Sequence, residues 1–119
     1  MTNPGFSVIT PSFNQAQYIR ENIESVLAQD YPNVEHIVID NASTDGTVEI
    51  LGTYPALIWR SEPDSGQSDA VNKALQLATK EWIIWVNSDD FLLPGAMHAL
   101  AAMIGRNPSA AALCCTSSV

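Results

Sequence analysis

The stretch Trp82–Pro94, WIIWVNSDDFLLP, constrains the fold of this chain more than any other. Trp82 to Val86 are apolar without alternation, the pattern of a central strand covered on both faces. The run breaks at Asn87-Ser88-Asp89-Asp90, where two carboxylates stand side by side. Apolar character returns at Phe91-Leu92-Leu93, and Pro94 is suited to opening a helix. Carboxylates at the carboxyl end of a buried strand lie where open α/β sheets bind their ligands. Two readings of the four polar residues stand open: a site for a metal ion and a nucleoside diphosphate, or a solvated turn whose aspartates cap the next helix.

The remaining chain alternates strand and helix patterns. Phe6–Thr10 is a short strand ending at Pro11, which cannot donate to a ladder. From Gln15 to Gln29, the positions of Ile19, Ile23, Val26 and Leu27 make the stripe of an amphipathic helix, ended by Tyr31-Pro32-Asn33. His36–Ile39 is a second buried strand, closed by Asp40-Asn41. Ser43, Thr44 and Asp45 are competent caps for a short helix through Val48, Ile50 and Leu51. Leu57–Arg60 is a third, weak strand. After the polar loop Ser61–Ser68, a helix buries Ala70, Val71, Ala74, Leu75, Leu77 and Ala78. Pro94 to Ile104 is helical, with Met97, Leu100, Ala101 and Ile104 on one side and Gly105 as its stop. Ala110–Thr116 is a candidate fifth strand. The class is therefore α/β with a mainly parallel sheet.

Charge narrows the function classes. The formal net charge is −8, with Arg20, Arg60, Lys73, Lys80 and Arg106 the positive side chains. That argues against nucleic-acid binding, which needs a basic face. It also repels a diphosphate, unless carboxylates hold a divalent cation that inverts the local charge. Cys114 and Cys115 are adjacent, too close on a strand for an unstrained disulfide, and are read as buried free thiols in a reducing compartment. No signal-peptide pattern opens the chain, and no apolar run approaches the ~20 residues of a membrane span. The expectation is a cytoplasmic protein of one domain or part of one, without a membrane segment.

Polar clusters recur after the strands: Ser12 and Asn14, then Asp40 and Asn41, then Glu62, Asp64 and Gln67, then Asn87 to Asp90. In a parallel sheet these loops share one edge, so the clusters should converge there on a ligand, although loops are polar in any case. With VITPSFNQAQYI, IDNASTDGT, SEPDSGQSDAVNKAL and WVNSDDFLLPGA in this order, the sequence resembles the glycosyltransferase family 2 enzymes of GT-A fold. The resemblance reaches to about Ala96 and implies a Rossmann-like three-layer sandwich, truncated to its nucleotide-binding half over residues 1–119.

Such enzymes transfer a sugar from a nucleotide-diphosphate donor, often a UDP-sugar, to an acceptor hydroxyl. By resemblance, the backbone of Pro11 and Ser12 edges the base, and Asp40 accepts a hydrogen bond from it. A helix-capping aspartate is the plain alternative for Asp40; Ser43 and Asp45 are read as caps. Asp64 resembles a residue near base and ribose, and Gly66 lets backbone approach the ligand closely. Lys73 either neutralises phosphate or is simply exposed. In Ser88-Asp89-Asp90 a serine replaces the first acid of the Asp-any-Asp motif; Asp89 would bond the ribose, and Asp90 would coordinate Mn2+ or Mg2+. That departure leaves open whether Asn87 or Asp89 also touches the ion. His36 and His98 lack metal-ligand spacing and are read as structural.

An inverting transferase needs a general base on the acceptor hydroxyl, and in the family pattern it lies downstream of the acidic motif. No Asp or Glu follows Asp90. The chain as it stands is expected to be a donor-binding half with little or no transfer, whose acceptor is unknown and whose catalytic base lies beyond it. Apolar surface left by a missing half would support a concentration-dependent homodimer. The alternative class is a non-catalytic nucleotide or nucleotide-sugar binding module. A nucleotidyltransferase would want a glycine- and lysine-rich first loop, and a phospho-accepting signalling domain an acid pair after the first strand; Pro11-Ser12-Phe13-Asn14 supplies neither.

Overall fold

The structure is a computed structural model and describes residues 4–106. Its elements alternate: β1 (Phe6–Ser12), α1 (Ile19–Leu27), β2 (Val34–Asp40), α2 (Thr47–Leu51), β3 (Ile58–Ser61), α3 (Gln67–Leu77), β4 (Trp82–Trp85) and α4 (Ala96–Arg106). Among the described residues the strands form one parallel sheet in the order β3-β2-β1-β4. Strand alternation divides the side chains between two faces. On one face Phe6, Val8 and Ile84 pack with Val26, Tyr31, Met97 and Leu100, while Val38 meets Ile19, Ile23 and Leu51. On the other, Ile9, Ile37 and Ile39 meet Ala70 and Ala74 of α3. Helices α1, α2 and α4 thus cover one face and α3 the other. The expected three-layer α/β arrangement is the one observed.

The Trp82–Val86 run differs from its expected central place. Among the described strands, β4 is an edge strand paired with β1 alone. Its burial alternates: Ile84 is buried, whereas Ile83 and Trp85 are 39% and 51% exposed. The reason is the reach of α3, whose small Ala70 and Ala74 sit over β1 and β2 and leave the same face of β4 uncovered. Unbroken hydrophobicity here marks a strand with one open face, not two closed ones.

Smaller departures have equally local causes. Strand β1 runs through Pro11 to Ser12. The Ile9 carbonyl points toward β4, where it accepts the Val86 N–H. Pro11, two residues on, faces the same side beyond the end of β4, so its missing N–H breaks no ladder bond. In α1, Leu27 is exposed and Asn22 is buried, and in α3 Leu75 is exposed. Pro94 precedes α4 because Gly95 adopts φ of 80°, a left-handed turn that a helix cannot include. Gly105 lies inside α4 and does not stop it, since glycine weakens a helix interior without terminating it. The candidate strand Ala110–Thr116 and the thiols of Cys114 and Cys115 fall outside the described residues.

Candidate functional site

Strands β1, β2 and β3 step one way across the sheet, and β4 is laid on the opposite side of β1. The strand order reverses there, and the carboxyl ends beside such a reversal open a crevice. A cleft of about 420 Å³ occupies it, lined by Pro11, Ser12, Phe13, Gln15, Asn41, Asp64, Gly66, Ala70, Asn87, Ser88 and Asp89. That volume is in the range of small-molecule sites. All four strand-end loops contribute, so the polar clusters do converge. Pro11, Ser12, Asp64, Gly66 and Asp89 line the cleft; Asp40 and Asp90 do not.

Asp40 lies behind the cleft wall. It is fully buried at the end of β2, in register with Ser12 of β1 and Ser61 of β3. Its Oδ1 accepts from the Ser12 hydroxyl at 3.1 Å and the Ser43 hydroxyl at 2.6 Å. Its Oδ2 accepts from the Ser43 N–H and the Ser61 hydroxyl, both at 2.8 Å. Four donors fill the acceptor sites of a carboxylate. A base could bond Asp40 only by displacing one of them.

From that anchor the first two loops are stitched together. The Asn14 N–H donates to Ser43 Oγ at 2.8 Å, and the Thr44 N–H returns to Asn14 Oδ1 at 3.0 Å. The Gln15 and Ala16 N–H groups reach Thr47 Oγ1 and Asp45 Oδ2. Asp45 also accepts from the Thr47 hydroxyl and N–H at the start of α2, but the N-cap is Gly46 with no side-chain cap bond, so Ser43 and Asp45 tie loops together instead of capping the helix as expected. The Thr47 hydroxyl and then the Ala16 amide hold the Asp45 carboxyl below the usual carboxylate range. On the third loop, Asn41 Oδ1 accepts the Asp64 N–H at 2.9 Å, and Asp64 Oδ1 accepts the Gly66 N–H at 2.9 Å. Gly66 has φ of 122° and ψ of −172°, a conformation effectively reserved to glycine.

The fourth loop is different. Among the described residues the Asp89 and Asp90 carboxylates have no hydrogen-bond or ion-pair partner; Asp89 is exposed and Asp90 half-buried. The turn is held through other groups: the Asp90 N–H donates to the Asn87 carbonyl at 3.0 Å, buried Asn22 donates to the carbonyls of Asn87 and Asp90, and the Trp85 indole N–H donates to Asn87 Oδ1 at 2.9 Å. Lys73 does not line the cleft. Its Nζ donates to the Pro63 carbonyl at 3.2 Å and lies 3.5 Å from Glu62 and 3.7 Å from Asp69.

Neither histidine sits in the cleft. His36 Nε2 hydrogen-bonds with Thr10 Oγ1 at 2.8 Å inside the sheet, and burial pushes its pKa down to about 3. His98 contacts the Asp30 carbonyl and lies edge-on to Tyr31. Each is thus engaged with neighbours away from the cleft. Among the described residues no group of three or more His, Cys, Asp or Glu forms a metal cage. An ion completed by diphosphate oxygens needs only one or two protein carboxylates, and Asp89-Asp90 offers that donor set.

Sequence reasoning missed Phe13 and Gln15 as lining residues, and Asn22 as a support. The exposed aromatic of Phe13 in a strand-end loop was a legible signal; an asparagine in the buried stripe of α1 was a fainter one.

A sequence profile described as Glycosyl transferase family 2 matches residues 7–119. The putative teichuronic acid biosynthesis glycosyltransferase TuaG of Bacillus subtilis is 43% identical over 97 residues, covering 76% of this chain and 38% of TuaG. The crystal structure of S. aureus TarS 1–349 in complex with UDP-GlcNAc superimposes with a TM-score of 0.78 and 33% identity, covering 86% of this chain and 31% of that one. The mannosyltransferase PcManGT of Pyrobaculum calidifontis, in complex with GDP-Man and Mn2+, gives a TM-score of 0.71 and 34% identity over 85% of this chain and 31% of its own. The chain therefore spans well under half the length of each of these relatives. No helix among the described residues is long and apolar enough to cross a membrane.

Proposed function

This chain belongs to glycosyl transferase family 2, and we propose that its rim cleft binds a nucleotide-diphosphate sugar, with UDP the favoured nucleotide. The observation that carries the reading is the meeting of all four strand-end loops, Asp64, Gly66 and Asp89 among them, in one cleft at the strand-order reversal. The likeness to a UDP-GlcNAc complex over 86% of the chain supports it. In this proposal Pro11 and Ser12 edge the base with their backbone, and Asp64 and Gly66 flank base and ribose. Asp40 fixes the wall, and reaches the base if a serine hydroxyl gives up its bond. Asp89 bonds the ribose, and Asp90 holds Mn2+ or Mg2+. The open carboxylates of that turn suit a hard divalent ion, and the PcManGT structure is a complex with GDP-Man and Mn2+. Asp89 lines the cleft and Asp90 does not, which makes Asp89 the competitor for the ion. When bound, the ion serves as a Lewis acid stabilising the leaving diphosphate.

We further propose that residues 1–119 form the donor-binding half of a longer inverting transferase in the reducing cytoplasm. With no Asp or Glu after Asp90, the chain by itself holds donor without rapid transfer. The second reading is a nucleotide-binding module without turnover. Exposed Ile83 and Trp85 motivate a concentration-dependent dimer, which light scattering at high concentration would detect.

Calorimetry with UDP, with and without Mn2+, tests the central claim. UDP binding that strengthens with Mn2+ and loses that gain in Asp90→Ala is expected. No UDP binding under either condition sinks the proposal. Loss of the gain in Asp89→Ala alone transfers the metal role to that residue. A turnover assay on the full-length parent separates transferase from module.

A further inference from the structure

Beside its apolar stripe, α1 carries Asn22 and Ser25, one turn apart on the same side, and Gln29 follows just past its C-cap Ala28. Each is bonded to the backbone of the segment that begins with the acid turn. Asn22 Nδ2 donates to the carbonyls of Asn87 and Asp90, both at 3.0 Å. Ser25 Oγ accepts the Leu92 N–H at 3.0 Å. Gln29 Nε2 donates to the Leu93 carbonyl at 2.8 Å, and its Oε1 accepts the Met97 N–H at 3.2 Å. These bonds run without interruption from the cleft rim to the first turn of α4.

Asn22 is fully buried, and among the described residues its Oδ1 has no partner. A buried amide with an orphan acceptor is destabilising compared with an apolar residue of similar size. Its neighbours on the buried stripe, Ile19, Ile23 and Val26, are apolar. The two donated bonds are what an apolar residue could not supply. Both end on the turn whose carboxylates have no other restraint among the described residues.

We propose that Asn22, backed by Ser25 and Gln29, is a positioning residue that fixes the Asn87–Asp90 turn, so that α1 sets how well the acid pair engages a metal-bound diphosphate. The inference rests on the nucleotide reading above for its ligand, but not for its geometry. Asn22 touches no ligand; it acts through two carbonyl groups. Its role falls mainly on the metal-dependent part of binding and on the Asp89–ribose bond of the proposed function, since the base-side loops are held independently by the Asp40 and Asn14 bonds.

The test uses the full chain and Asn22→Leu, which keeps the buried volume and removes both donors. Amide exchange is measured across residues 87–93 and across β2, and UDP is titrated with and without Mn2+. Losing the pair of bonds should speed exchange in the turn and weaken UDP affinity in Mn2+, each about tenfold, with a distinctly smaller loss of metal-free affinity and β2 exchange unchanged. Ser25→Ala, a milder change, should give the same pattern at about threefold. Unchanged exchange in both variants overturns the proposal. So does faster exchange throughout the chain with equal loss of both affinities, which would make Asn22 a packing residue only. If the wild-type chain ignores UDP and Mn2+ altogether, the nucleotide reading and the ligand half of this inference fall together, and the exchange data decide the geometric half.

Discussion

Two acidic strand ends of one sheet are used in opposite ways. At the end of β2, Asp40 is buried and takes four hydrogen bonds from Ser12, Ser43 and Ser61. Beyond the end of β4, Asp89 and Asp90 carry none among the described residues, and the turn is held by backbone carbonyls instead. A saturated carboxylate organises protein, because its charge is already neutralised by oriented donors. An open one is left to a ligand. In the proposed reading, a cation held at Asp89-Asp90 would offset part of the repulsion that a net charge of −8 imposes on a diphosphate. Ranked by effect on stability, four changes test that division.

Asp40→Ala should be the most damaging. It strands the Ser12, Ser43 and Ser61 donors and unpins the first two loops, for a loss of about 3 kcal/mol with partial relief where water enters. Asp40→Asn keeps one acceptor oxygen and should cost about half as much. Urea unfolding measures both. If Asp40→Ala is as stable as wild type, the carboxylate is not a structural hub and the comparison breaks.

Much of this division could not be read from the sequence. The four polar clusters and the α/β alternation were legible, because they depend on local pattern and on the shared edge of parallel strands. The saturation of Asp40 was not, since it depends on the register that sets Ser12 and Ser61 beside it and on the return of Ser43. The edge position of β4 was hidden for a similar reason. Trp82–Val86 is uniformly apolar, and only the placement of α3 over β1 and β2 decides that Ile83 and Trp85 stay open. The part played by Asn22 could not be read either, because its two carbonyl partners lie more than sixty residues away in the chain.

Gly66→Ala is the next largest change. No atom lies within 4 Å of an added Cβ, so the penalty comes from φ of 122° alone. Forcing that conformation on alanine costs about 2 kcal/mol. The Asp64–Gly66 bond should loosen with it, and nucleotide affinity should fall through the shape of the third loop. A stability change near zero would mean that this loop relaxes freely and belongs with the open side of the cleft.

His36 gives an effect that depends on pH and is small near neutrality. Its folded pKa is about 3, below the ordinary 6.5, because burial disfavours the charged ring. Between those values the unfolded chain binds a proton that the folded chain refuses. Its contribution is therefore complete above about pH 6.5 and is lost as pH falls toward 3, at roughly 1 kcal/mol per pH unit. Unfolding midpoints at pH 7 and pH 5 should differ in the wild type and converge in His36→Gln. Equal slopes in the two proteins would assign the acid sensitivity to other groups.

Asp89→Ala should change stability least, by no more than about 0.5 kcal/mol in either direction, as for an exposed group without partners. Removing one of several negative charges at the rim relieves repulsion, which offsets any loss of local turn preference. The informative quantity is the pairing of two readouts: an unfolding midpoint that stays put and a Mn2+-dependent UDP affinity that falls. Asp40→Ala should fail in both. A destabilisation above 1 kcal/mol in Asp89→Ala would show that this carboxylate also serves the fold, and the sharp line between filled and open acids would be lost. Equal UDP affinity in wild type and Asp89→Ala, at unchanged stability, would keep the line but remove this aspartate from the ligand side of it.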